Sequence, residues 1–119
     1  MSDQAILTPA RRSYADLAAT ALLQLGTTVG QVAKALYAAD CTGLPGVCGR
    51  CPIATYLMRS GLGLFAVSVG DDEIALHYGP GEDDVEYVDM PDPVIRFIAD
   101  FDALHYPHLI GVGGFGVTA

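Results

Sequence analysis

The stretch that decides the fold is Leu64-Phe65-Ala66-Val67-Ser68-Val69, Gly70-Asp71-Asp72, Glu73-Ile74-Ala75-Leu76-His77-Tyr78, Gly79-Pro80-Gly81-Glu82-Asp83-Asp84 and Val85-Glu86-Tyr87-Val88. From Leu64 its apolar residues recur at every second position, the period of a chain whose side chains point alternately to two faces. Gly-Asp-Asp and Gly-Pro-Gly-Glu break that alternation with residues suited to turns. Three strands over 64–69, 73–78 and 85–88 are therefore predicted, joined in order as an antiparallel meander.

Upstream the period lengthens. Tyr14, Leu17, Ala18, Ala21, Leu22 and Leu25 follow helical spacing, and Gly26 is expected to close that helix with a left-handed cap. Thr28-Val29-Gly30-Gln31 has capping-box form, with Thr28 as the cap and Gln31 reaching back. It opens a second helix, with Val29, Val32, Ala33, Leu36 and Tyr37 on one stripe, running to about Ala39. The glycine-rich run 41–50 reads as a loop. Pro52 suits a first helical turn, where its missing N–H costs nothing, so Cys51 is the expected cap of a third helix reaching about residue 60. That helix draws its buried residues from Ile53, Ala54, Leu57 and Met58. Beyond the strands, Asp92-Pro93 is expected to open a fourth helix that turns Val94, Ile95, Ile98, Phe101 and Leu104 inward until Pro107 stops it.

The result is a single α+β domain over 1–108, with three N-terminal helices, a three-stranded meander and a C-terminal helix, followed by a glycine-rich tail at 109–119. Helices followed by a hairpin also give the order of a winged helix-turn-helix. With 119 residues, 51% of them hydrophobic and 17% charged, the chain can bury a core without staples. Residues 1–12 carry Asp3 and no apolar run, unlike a secretory signal, and the longest apolar stretch, 62–69, is too short to span a bilayer. A soluble, cytoplasmic protein is expected, without membrane association.

The charge is unevenly spread. Up to position 60 five basic residues face three acids, for +2; beyond it Arg96 alone faces eleven acids, for −10, which together make the net −8. The acids gather in Asp71-Asp72-Glu73 and in Glu82-Asp83-Asp84-Val85-Glu86. As a rim they keep the chain soluble; as a surface they suit a basic protein partner. They argue against nucleic acid, because DNA affinity is dominated by phosphate neutralisation. A winged helix would read the major groove with its third helix, which offers only Arg59.

Three thiols lie within eleven residues: Cys41, Cys48 and Cys51. In a reducing compartment such thiols are free or metal-bound rather than disulfide-linked. Cys48-Gly-Arg-Cys51 is half of a zinc knuckle, and Cys41 supplies a third thiolate. A fourth ligand would have to come from Asp40, His77, His105 or His108. The same pair, with Cys51 at a helix N-terminus beside Arg50, has the form of a thiol-redox motif. Thioredoxin-like proteins, however, place that motif after a central strand, and here a glycine-rich loop precedes it. The third reading is packing, with Cys51 as a cap and Cys41 and Cys48 against the loop. No acid–base or nucleophilic constellation assembles. His77 falls on the more exposed sheet face, and His105 and His108 flank a helix end. The glycines of 111–116 lack the Lys and the helix of a phosphate loop.

The segments Val32-Ala33-Lys34-Ala35-Leu36, Gly43 to Cys51 and Cys51-Pro52-Ile53-Ala54-Thr55-Tyr56-Leu57 resemble small uncharacterised proteins of actinobacteria and their phages. Pro91-Asp92-Pro93-Val94 and Phe101-Asp102-Ala103-Leu104-His105-Tyr106-Pro107 extend the resemblance over about residues 29–107. It implies a cytoplasmic setting and a phage or mobile-element origin, and it brings no activity. In it Cys51 matches, whereas Cys41 and Cys48 fall in a variable loop. The chain is thus expected to be a non-enzymatic, cofactor-free domain that binds a host or regulatory protein through Asp71, Asp72, Glu73, Glu82, Asp83 and Asp84. The alternatives are a zinc-stabilised structural domain and a thiol-redox protein using Cys48 and Cys51.

Overall fold

The computed structural model describes residues 13–47 and 49–111. Helix α1 spans Tyr14–Leu23, capped by Ser13, whose Oγ accepts the Asp16 amide at 3.1 Å. It buries Ala18 and Leu22, one turn apart, with Leu25 just beyond. Gly26 then takes φ +129°, and a Cβ there would lie 2.5 Å from that of Gln31. Only glycine lets the chain turn this tightly into α2, Val29–Ala38. Thr28 caps α2 as expected, its hydroxyl accepting the Gln31 amide. Gln31 reaches one residue farther back than a capping box requires. Its Oε1 accepts the Thr27 amide at 2.7 Å and the Thr27 hydroxyl at 3.2 Å.

Helix α3 covers Pro52–Met58 with Cys51 at the cap position. The sheet is β1 Ala66–Val69, β2 Glu73–His77 and β3 Val85–Asp89, antiparallel in the order β1-β2-β3. Helix α4, Asp92–Asp102, follows, and a short 3-10 turn over Pro107–Leu109 closes the described chain. Among the described residues the α+β class, with four helices and a three-stranded antiparallel sheet, is as the periodicity indicates.

The described helices bury one side of the sheet. Val67, Val69, Ile74, Leu76 and Val88 form its buried face; α1 packs on β3, α3 on β1, and α2 on α4. Phe97 and Phe101, fully buried and with ring centroids 5.8 Å apart, fill the centre with Val94. The phase of α4 is shifted from expectation: Phe97 joins Val94 and Phe101 as fully buried, Ile95 and Ile98 pack partly buried against the core, and Leu104 is 60% exposed. Met58 and Tyr37, also expected on apolar stripes, are exposed.

Several boundaries need correction, each for a backbone reason. Pro91, not Asp92, is the cap of α4; its carbonyl accepts the amides of Val94 and Ile95, and Pro93 still sits where no donor is needed. The helix stops before Pro107 through a Schellman closure. Leu104 adopts φ +69°, its amide reaches Phe101 O, and the His105 amide reaches Asp100 O. Asp40, at φ +58°, ends α2 the same way, with Asp40 N–H to Tyr37 O and Cys41 N–H to Leu36 O. Leu109, at the start of the expected tail, is fully buried, and Ile110 forms a parallel bridge with Gly43. The remainder of that tail lies outside the described residues.

Candidate functional site

The cysteine loop is firmly tied. Leu44 N–H donates to Arg50 O at 2.7 Å, and Gly46 N–H to Asp102 Oδ1 at 2.8 Å. The Thr55 hydroxyl donates to Thr42 O, and Arg59 Nη1 to Asp40 O. Cys41 and Cys51 are 1% and 4% exposed. Burial pushes the Cys41 thiol pKa up, over the opposing influence of the Arg59 guanidinium. Cys51 occupies the cap position of α3 but makes no side-chain cap bond. Cys48 lies outside the described residues. Among the described residues no three of His, Cys, Asp and Glu stand close enough together to hold a metal ion. Of the candidate fourth ligands, His105 Nδ1 is 3.8 Å from Asp100 Oδ1 and His108 sits edge-on to Tyr37 and Tyr106.

The acids divide between two ends of the sheet, as a meander dictates. At one end the β1–β2 turn closes with Gly70 N–H to Glu73 O, and Asp72 O accepts the Met90 amide, leaving Asp71, Asp72 and Glu73 exposed. The register sets Glu73 directly opposite Asp89, adding a fourth carboxylate to this end. Asp71 and Asp102 both line a cleft of about 120 Å³, together with Cys51 and Ile98.

At the other end Glu82 and Asp83 are exposed, but Asp84 is partly buried and serves the loop itself. Its Oδ2 accepts the Gly81 amide, its carbonyl the Tyr78 amide. Glu86, the last acid of that cluster, is partly buried and points to the helix-covered side of the sheet. It shares the register row of Val67 and Leu76, and its Oε1 accepts the Ala15 amide at 2.9 Å, where α1 begins. The carboxylate meets the positive end of the helix dipole, and beside it Tyr14 stacks on Tyr78 at 5.0 Å.

Among the described residues no helix covers the second face of the sheet. Its rows are Ala66–His77–Val85, Ser68–Ala75–Tyr87 and Glu73–Asp89, none of them buried. Small side chains in the middle leave a trough of about 320 Å³ beside Tyr87, which is 57% exposed. The acids flanking this face are visible from sequence alone; the face itself was not among the candidate surfaces. Its signal is the off-phase half of the same alternation that marks the core. No helix among the described residues is long and apolar enough to cross a membrane. No protein-family model, curated protein or solved structure matches this chain.

Proposed function

We propose that this chain is a non-enzymatic cytoplasmic domain, of phage or mobile-element derivation, that docks a basic host or regulatory protein on its acidic meander. The observation that carries this reading is the charge distribution: between Arg59 and Arg96 the chain has nine acids and no Lys or Arg. Asp71, Asp72 and Glu73 are exposed at one end with Asp89, and Glu82 and Asp83 at the other. Such a field steers a cationic partner toward the sheet and repels nucleic acid. The winged-helix-like order of elements fits the same use. Its third helix is seven residues long, and Arg59 at its end already donates to Asp40 O. That element serves protein contact rather than a DNA groove.

The test is affinity capture from an actinobacterial lysate with the wild-type chain, with Asp71→Lys/Asp72→Lys and with Glu82→Lys/Asp83→Lys. The association kinetics of the recovered protein are then measured. The end that docks the partner is the one whose reversal slows association more than it speeds dissociation. Identical recovery and kinetics for all three chains would leave the acids as a solubilising rim and defeat the reading.

A further inference from the structure

Resting on the acidic docking reading above, we propose that the open face of the sheet seats an amphipathic helix of the partner, its Lys or Arg residues at the end that meets Glu73 and Asp89. A solvated antiparallel face is ordinarily polar. Here the middle row is Ser68, Ala75 and Tyr87, which line the trough, and the row beside it is Ala66, His77 and Val85. Three strands about 4.8 Å apart make a floor about 10 Å wide, the diameter of a helix. Strands of four and five residues run about 13–17 Å, the length of a helix of about 9–11 residues.

Charge decides the occupant. Glu73 and Asp89 are directly opposed across the strands, a pairing that destabilises a sheet unless a cation intervenes. No ion pair reaches either among the described residues, and the chain supplies no cation between Arg59 and Arg96. A second copy, at net charge −8, would bring a like-charged end to the same place. Anionic headgroups and nucleic acids meet the same repulsion. A cationic polypeptide is the occupant whose charge complements this face.

The probe is a synthetic helical peptide of about 12 residues, with Leu and Ala on one face and three Lys in its last turn. It is added to the isotopically labelled full chain and followed by amide chemical shifts and by fluorescence anisotropy. The expected shifts fall on Ser68, Ala75, Tyr87, Glu73 and Asp89. A scrambled peptide of equal composition should bind about tenfold more weakly, and Glu73→Lys/Asp89→Lys should weaken the helical peptide by at least as much. Ser68→Lys, at an exposed site, blocks the trough if Tyr87→Ala does not fold. Equal binding of the scrambled peptide, or shifts confined to the two acidic turns, would overturn this seat while leaving acidic docking intact. No binding of either cationic peptide would count against both. Concentration-dependent self-association through the same residues would instead make a second copy the occupant and also overturn the proposal.

Discussion

Gly43→Ala tests the packing of the cysteine loop most severely. A Cβ at Gly43 would lie 2.2 Å from Arg50 O, 2.5 Å from Cys51 C and 2.6 Å from Pro52 N. All three are backbone atoms, which cannot rotate aside as a side chain could. The methyl group must therefore force two chain segments apart. Overpacking of this kind costs about 1–3 kcal/mol. The displaced segment also carries three backbone hydrogen bonds: Gly43 N–H to Leu109 O, Gly111 N–H to Gly43 O and Leu44 N–H to Arg50 O. Loss of one or two adds about 0.5–1.5 kcal/mol each. A destabilisation of about 1.5–6 kcal/mol is expected, a large share of the stability of an ordinary domain. Urea denaturation followed by circular dichroism measures it. Gly30→Ala is the control, because nothing lies within 4 Å of its Cβ and it sits exposed in α2. That exchange should stabilise by about 0.5–1 kcal/mol. A Gly43→Ala variant within about 0.5 kcal/mol of wild type would refute the close-packed loop.

Three further expectations concern the helix ends and pH. Glu86→Ala removes a charged acceptor from the start of α1 and should cost about 1.5–3 kcal/mol; Glu86→Gln, which keeps an acceptor oxygen, should cost less than about 1 kcal/mol, both by thermal unfolding. Leu104→Gly relieves a left-handed backbone while giving up a mostly exposed side chain, so a gain of about 0.5–1 kcal/mol is expected by the same assay. Burial raises the pKa of Cys41 and of Tyr56, the latter also through the charge of Cys41. The folded chain therefore holds these protons longer than the unfolded chain. Their contribution is complete below the unfolded thiol pKa of about 8.5 and is lost as pH rises through the folded values. Unfolding midpoints should decline above that pH, and Cys41→Ala should flatten the earlier part of the decline.

The meander is legible in sequence because Val67, Val69, Ile74, Leu76 and Val88 keep a strict two-residue phase between glycine-bearing turns. Thr28 and Pro52 mark helix starts for equally local reasons. Helix ends are less legible, since Asp40 and Leu104 take left-handed positions that composition assigns to glycine. The phase of α4 was recoverable: Val94, Phe97 and Phe101 fit helical spacing at least as well as the set containing Ile95 and Ile98. Glu86 could be placed inward from its parity with Val88, yet its role depends on where α1 begins, which no local pattern specifies. The bare second face of the sheet is likewise a consequence of helix packing. Periodicity separates two faces but does not say which one the helices leave open.

The bridge between Gly43 and the segment around Ile110 joins residues far apart in the sequence. Contacts of such long sequence separation carry a large closure entropy and form late in folding. Disturbing this bridge should accelerate unfolding while leaving the refolding rate nearly unchanged. If this bridge opened locally while the sheet persisted, the segment after Cys41 would be freed without global unfolding. Cys41 and Cys51, sealed in the folded state, would then react with a thiol reagent at a rate set by the clasp rather than by global unfolding.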